Sequence, residues 1–198
     1  MDAYFATLEQ QWNPKLRGKP IIVCGKGSGE RTVVATASYE AKRLGVKTAM
    51  AVWQAKKICP QAILVPAKYP KYLATTKKLI AIFESFTPDV EIFSIDEAFL
   101  KIENYELKIA HQIKYRIKKE IGELCTCSIG IAPNKLLAKI ASEYQKPDGL
   151  TVVTNDEIRM SNDESSLNFR NSNLEPALPA GRFESSFEIS HSDLRRSR

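Results

Sequence analysis

The apolar periodicity that a chain needs in order to fold runs to residue 154 and then stops. In residues 155 to 198 the apolar side chains are scattered, with nine serines in 44 residues against six in the preceding 154. The basic residues change in kind as well: residues 1–154 hold 19 Lys and 4 Arg, and residues 155–198 hold 6 Arg and no Lys. Such a tail cannot bury enough apolar surface to offset the entropy of ordering it. Residues 155–198 are therefore expected to be disordered or non-native, and the switch from lysine to arginine fits a shifted reading frame. Whatever folds must come from the first 154 residues. They carry 23 basic and 15 acidic side chains, a net +8, against +6 for the whole chain. A body this basic is suited to a polyanionic partner.

Several classes are excluded. No run of about 18 apolar residues is present, so no membrane-spanning helix is expected and no membrane partner. The first residues show no basic segment leading into an apolar one, so no signal peptide is expected. Four cysteines (Cys24, Cys59, Cys125, Cys127) in this length do not make a disulfide framework. They read as reduced thiols of a cytoplasmic protein. Cys125-Thr126-Cys127 alone lacks a second ligand pair for zinc.

Along the folded part, Ala3 to Trp12 reads as a short helix and Pro20 to Gly25 as a strand. A glycine-rich loop follows to Glu30, then a strand over Thr32 to Ala37. Ser38 is placed to cap a helix from Tyr39 to Leu44, closed by Gly45. A helix over Ala51 to Cys59 and a strand over Ala62 to Val65 come next. Tyr69 to Phe86 is a long helix with Tyr72, Leu79, Phe83 and Phe86 on one face. Val90 to Phe93 and Ala98 to Ile102 flank Ser94-Ile95-Asp96-Glu97 as a hairpin. Leu107 to Ile121 is helical, Cys125 to Ile131 a strand, and Asn134 to Tyr144 a helix with Leu137, Ile140, Ala141 and Tyr144 inward. A turn at Lys146 to Gly149 leads into a last strand over Leu150 to Val153. From Tyr69 the order is helix, strand, strand, helix, strand, helix, strand. That order predicts an α+β, ferredoxin-like core, in which a strand normally precedes the first helix. Here a helix begins almost at residue 1, so the core is expected to lack its first strand.

Asp96-Glu97 is the most informative pair. Neighbouring side chains on a regular strand point to opposite faces, so two adjacent acids converge only where the backbone turns. Converging carboxylates suit Mg²⁺, and two such ions serve phosphoryl transfer. The plain alternative is an exposed acidic turn. Thr36, Tyr39, Lys42, Arg43 and Lys146 lie at turns or helix starts, where backbone amides and cations receive phosphates; each alone also reads as a solvated surface group. Lys108, Lys114, Lys118 and Lys119 read as a solvated helix face, with DNA backbone contact the minority reading. His111 and His191 have no visible ligand partner.

Met1 to Ala6 (MDAYFA), Ala35 to Ala41 (ATASYEA) with Gly45-Val46, Ser94 to Ala98 (SIDEA), Ser128 to Lys135 (SIGIAPNK), Ala138 to Ser142 (AKIAS) and Lys146 to Gly149 (KPDG) form an ordered set. Together they resemble the Y-family DNA polymerases, above all the DNA polymerase IV (DinB-like) branch, over residues 1 to about 154. The resemblance implies a palm from residues 1–6 and 69–154, lacking its first strand, and a small α/β fingers subdomain from residues 7–68. It implies translesion DNA synthesis: two-Mg²⁺ attack of a primer 3′-hydroxyl on the α-phosphate of a dNTP, during bypass and repair of damaged primer-template DNA. Asp96 matches a palm metal ligand and Glu97 the adjacent catalytic carboxylate. Phe5 matches the ring that excludes a ribose 2′-hydroxyl, and Thr36, Tyr39 and Lys146 match residues that hold the triphosphate. The family commonly has Arg then Lys at the fingers cation; here Lys42 precedes Arg43.

The family's third metal-binding acid lies two residues before the position of Asp2 and has no counterpart in this sequence. Asp2 matches the second acid of that pair, and without a strand to anchor it the start of the chain is expected to fray. Nothing after residue 154 resembles the thumb, the little finger or the clamp-binding peptide of the family, so a sliding clamp is not expected from these residues. The expectation is thus a translesion polymerase by descent. The alternatives are a catalytically inactive fragment retaining weak nucleotide or nucleic-acid binding, and a different palm-type enzyme such as a cyclase.

Overall fold

One strand belongs to both apolar cores of the molecule. In the computed structural model, residues 1–25, 32–103 and 107–154 are described, with the backbone of Arg170 and Asn171. The four residues of β1 (Ile21–Cys24) are all buried. Its alternation sends Ile21 and Val23 into one cluster and Ile22 and Cys24 into the other. The first cluster is built with Tyr4 and Leu8 of α1 (Tyr4–Trp12), Tyr72, Leu79 and Ile82 of α4 (Tyr69–Glu84), and Ile113 and Ile117 of α5 (Leu107–Glu120). The second is built with Ala41 of α2 (Tyr39–Arg43) and with Val52 and Ala55 of α3 (Val52–Ile58). β1 is the middle of a three-stranded sheet, antiparallel to β2 (Val34–Ala37) and parallel to β3 (Ile63–Pro66). A strand apolar on both faces needs cover on both sides, and helices supply it.

The order from Tyr69 onward is as expected. After α4, β4 (Val90–Ile92) and β5 (Ala98–Leu100) form the antiparallel hairpin, with Val90 opposite Leu100 and Ile92 opposite Ala98. α5 leads to β6 (Ile129–Ile131), α6 (Lys135–Tyr144) and β7 (Leu150–Val152), which lies parallel to β6. Asn134 caps α6 by accepting from the Leu137 amide at 2.9 Å. The α+β class holds, but the ladder is in two pieces, β4–β5 and β6–β7–β8, where β8 is Arg170–Asn171. That pairing is the described part of the tail; the expected disorder or non-native origin of residues 155–198 otherwise lies outside the described residues, as does the loop 26–31.

Three local expectations change. The strand expected from Cys125 shrinks to Ile129–Ile131, because among the described residues the preceding ones lie beside no strand: the Thr126 carbonyl accepts from the Asp2 amide. Ser38 makes no side-chain cap; its hydroxyl donates to the Lys19 carbonyl and accepts from the Ile21 amide, fastening α2 to β1. Gly45 closes α2 with φ of 100°, as a glycine there should. Tyr144, expected inward, is 59 % exposed, because on α6 only Ala141 is fully buried.

All four cysteines are free and buried, and burial pushes the Cys125 thiol up to about 12. Among the described residues, no helix is long and apolar enough to cross a membrane.

Gly130 sets how closely β6 and α6 approach. A Cβ there meets the Ala138 carbonyl oxygen at 2.1 Å and the Ser142 amide nitrogen at 2.5 Å, both rigid backbone. Gly130→Ala is expected to destabilise the protein by about 1–3 kcal/mol, the range for forced overpacking, read as a lower urea midpoint. An unchanged midpoint overturns the close approach.

Candidate nucleotide-binding site

The β4–β5 turn presents the acidic pair. The amides of Phe93 and Ser94 both donate to the Glu97 carbonyl, at 3.0 and 3.1 Å, and close the turn. The Ser94 hydroxyl donates to Asp96 Oδ1 at 3.0 Å. Glu97 pairs with Lys139 of α6, Lys139 also pairs with Glu143 at 2.9 Å, and Glu143 pairs with Lys146 at 2.9 Å. Glu97, Lys139, Glu143 and Lys146 therefore form an alternating ladder of charge. Burial alone would raise the Glu143 carboxyl, but hydrogen bonds from Lys146 and Lys139 outweigh it and hold it below the usual range. Glu143 was not singled out from sequence. Its signal is the spacing Lys139, Glu143, Lys146: Glu143 lies one turn after Lys139 on α6 and three residues before Lys146 in the following turn.

Asp2 departs from expectation. It is 1 % exposed rather than frayed. Its amide donates to the Thr126 carbonyl at 3.0 Å. Its Oδ1 accepts from the Ser128 hydroxyl at 2.8 Å and its Oδ2 from the Asp148 amide at 2.9 Å. The Met1 ammonium donates to the Asp96 carbonyl at 2.7 Å. These hydrogen bonds anchor the first two residues. Both Asp2 oxygens thus hold the Lys146–Gly149 turn and its neighbour Ser128. The turn is fastened again by Lys114 and Lys118, which pair with the Asp148 carboxylate at 3.0 and 2.6 Å. Among the described residues, no three His, Cys, Asp or Glu side chains gather as a metal site.

The cationic candidates divide. Lys42 lies 4.9 Å over the ring of Tyr39, the first residue of α2. Burial lowers the Lys42 ammonium below the usual lysine range, and the Lys146 charge lowers it further against the pull of Asp2 and Glu143. Burial, with Asp2 and Glu143 in electrostatic reach, pushes the Tyr39 phenol upward. Lys42 and Tyr39 from α2 and Lys146 from the turn after α6 therefore share one electrostatic neighbourhood. Arg43 instead is exposed at the end of α2, away from that pairing. The Thr36 hydroxyl is turned onto its neighbour, donating to the Ala35 carbonyl at 2.8 Å. Phe5 is stacked on Tyr72 at 4.4 Å with Tyr69 edge-on at 5.8 Å, so its ring is held in place.

A matching family model, described as the impB/mucB/samB family, covers residues 1–143. The chain belongs to this family. Among its relatives, DNA polymerase IV of Pelotomaculum thermopropionicum is 44 % identical over 159 residues, 77 % of this chain and 39 % of that protein. DNA polymerase IV of Lactococcus lactis is 43 % identical over 165 residues, 79 % of this chain and 45 % of that one. The crystal structure of DinB from Sulfolobus solfataricus superposes with a TM-score of 0.74 at 38 % identity, covering 81 % of this chain and 48 % of that one. An insertion ternary complex of Dbh DNA polymerase gives a TM-score of 0.73 at 38 % identity, over 80 % of this chain and 48 % of its own. The chain spans less than half the length of the relatives it matches. The mixed α+β fold and the Y-family likeness agree with the reading of the sequence.

Removing the Asp2 carboxylate leaves the half-buried Asp148 amide and the Ser128 hydroxyl without their acceptor. Asp2→Ala is expected to cost about 1–3 kcal/mol, measured as a lower thermal midpoint. A frayed first turn predicts no change.

Proposed function

We propose that residues 1–154 are the nucleotide-binding core of a translesion DNA polymerase, a palm (1–6 and 69–154) with fingers (7–68), acting in the cytoplasm on primer-template DNA and dNTP. The observation that carries this reading is Lys42 within electrostatic reach of Lys146, the two brought from separate parts of the chain, with the Lys146 charge helping burial to lower the Lys42 ammonium. An anion seated between them relieves that repulsion, and a triphosphate is the polyanion with the matching charge. Tyr39 beside them has a hydroxyl that stays protonated and can donate to a phosphate oxygen. Phe5, fixed against Tyr72, is the flat surface on which a deoxyribose can lie. The net +8 body supplies salt-sensitive attraction to a phosphate backbone.

Polymerases of this family are metal-dependent, and Mg²⁺ is the ion that suits oxygen ligands next to phosphates. When bound, it supplies charge that stabilises the transferring phosphoryl group. Asp96 and Glu97 are the carboxylates that face such an ion, with Ser94 orienting Asp96. Glu97 is engaged by Lys139 and Asp2 by Ser128 and Asp148, so the described residues do not fit a two-ion site as they stand. That observation favours a second reading: a fragment that binds a nucleotide or nucleic acid weakly and does not catalyse.

Primer extension with Mg²⁺ and all four dNTPs, run beside a fluorescent-dNTP binding titration, separates the two. Template-directed addition that is lost in Asp96→Ala supports the polymerase. Saturable dNTP binding without extension supports the binder, and neither result overturns both. In either case Lys146→Ala is expected to weaken dNTP binding by about 10-fold or more, the worth of one charged hydrogen bond.

The pH dependence follows from the lowered Lys42 ammonium. A triphosphate favours the charged form, so affinity is full below the lowered pKa and falls as pH rises through it, earlier than for an ordinary lysine. Lys42→Arg, which stays charged, is expected to flatten that fall. An unchanged pH profile places Lys42 outside the site.

A further inference from the structure

Helix α5 turns one face into the core and leaves the opposite face uncovered among the described residues. Ala110, Ile113 and Ile117 are buried. On the other side Lys108, His111, Gln112, Tyr115, Lys118 and Lys119 are exposed. Tyr115 stands two residues from both Ile113 and Ile117, half a turn round the helix, and is 62 % exposed. Lys108, His111, Tyr115 and Lys119 follow one another at intervals of three, four and four. At 1.5 Å per residue they form a row of about 16 Å along the helix. Its order is cation, hydrogen-bond donor, flat ring, cation.

The charges on this face do not cancel. Arg116 is paired with Glu120 at 2.6 Å, and Lys114 and Lys118 share Asp148 at 3.0 and 2.6 Å. Among the described residues no carboxylate pairs with Lys108 or Lys119. Lys119 is within electrostatic reach of Glu120, yet its ammonium sits over the Tyr115 ring, 5.8 Å from the centroid. An exposed cation–π contact is weak and exchanges readily for a full counter-charge. The row therefore has two cations to offer an external anion and one ring face to offer an external π-system. A membrane surface would need apolar side chains all along the row, not one ring between lysines. An acidic protein surface would engage the lysines and leave the ring without a use. A chain of phosphates carrying flat bases matches cation, ring and cation together.

We propose that the outer face of α5 binds a single strand of nucleic acid. Phosphates lie on Lys108 and Lys119, His111 donates a hydrogen bond to a phosphate oxygen between them, and one base stacks on the Tyr115 ring. Every base has a π-face, so the contact selects unpaired strands without selecting sequence. Duplex bases are stacked on one another and leave the ring empty, so a duplex keeps only the lysine contacts. The surface uses none of Phe5, Tyr39, Lys42, Asp96, Glu97 and Lys146, and stands or falls apart from nucleotide binding there.

The test uses the full chain and a fluorescein-labelled strand of about eight thymidines, with one 5-iododeoxyuridine at its centre. Saturable anisotropy is expected, and irradiation is expected to join the iodouridine to Tyr115, located by mass spectrometry of the α5 peptide. Other parts of the chain are basic too, so the decisive comparison is with variants at exposed α5 positions. Tyr115→Ala is expected to weaken strand binding by about 10-fold, and Tyr115→Phe, which keeps the ring, to restore it. Lys108→Ala combined with Lys119→Ala is expected to flatten the dependence of log affinity on log salt by about 1.4, or roughly 0.7 per phosphate contact. Binding of dNTP is expected to be unchanged in all three. Parent-like affinity of Tyr115→Ala, with crosslinks confined to other segments, overturns the site. An unchanged salt slope in the double variant overturns it as well. So does a double variant that loses phosphatidylserine vesicles or a polyglutamate peptide while holding the strand as before, since that result assigns the face to another anion.

Discussion

The position of every candidate residue from α2 depends on the double burial of β1. Ile21, Ile22 and Val23 are fully excluded from water and Cys24 nearly so, and they face two different cores in alternation. A one-residue slip would exchange the two faces, so the register is tightly specified. The sheet ladder fixes β3 alongside, with the Ile63 amide on the Pro20 carbonyl at 2.9 Å and the Ala67 amide on the Cys24 carbonyl at 2.8 Å. Ser38 transmits the placement to the site: its hydroxyl bridges Lys19 and Ile21, so the next residue, Tyr39, leaves β1 at a set point. Lys42 follows one turn later. A side chain set on a short helix bolted to a buried strand can face Lys146 reproducibly, which a loop of the same composition could not ensure.

The elements were legible because their signals are local. The 3.6-residue periods of α4 and α5, the Asn134 cap of α6 and the β-rich runs around Asp96-Glu97 all lie within one element, and the structure follows them within two residues at most ends. Cys125–Ile131 failed for a reason that no local signal carries, since a strand needs a neighbouring strand and, among the described residues, 125–128 lie beside none, bonding instead to Asp2, Gly122 and Gly149. Ser38 failed because a serine before a helix has two uses, and a distant strand edge claimed its hydroxyl. For the site, Asp96, Glu97, Phe5, Tyr39, Lys42 and Lys146 were named from the residues and their resemblance. Glu143 and Lys139 were passed over because their meaning lies in pairing with Glu97, 42 positions from Lys139. Asp2 was misjudged because its partners, Ser128 and Asp148, are more than a hundred residues away.

The acids near the site fall into two kinds, and the difference decides what each can do. Asp2 and Glu9 are nearly inaccessible to water, and both are fully engaged: Asp2 by Ser128 and Asp148, Glu9 by the Tyr72 hydroxyl at 2.9 Å and Lys68 at 3.0 Å. A buried carboxylate stripped of such donors is costly, so neither can change partners without loosening the fold. Glu97 and Glu143 stand instead with side chains 30 % and 47 % exposed, in ion pairs that water screens. Pairs of that kind contribute little to stability and exchange at little cost. The ladder Glu97, Lys139, Glu143, Lys146 is therefore the part of the cluster that can exchange partners without loosening the fold, whereas Asp2 and Glu9 are fixed by it.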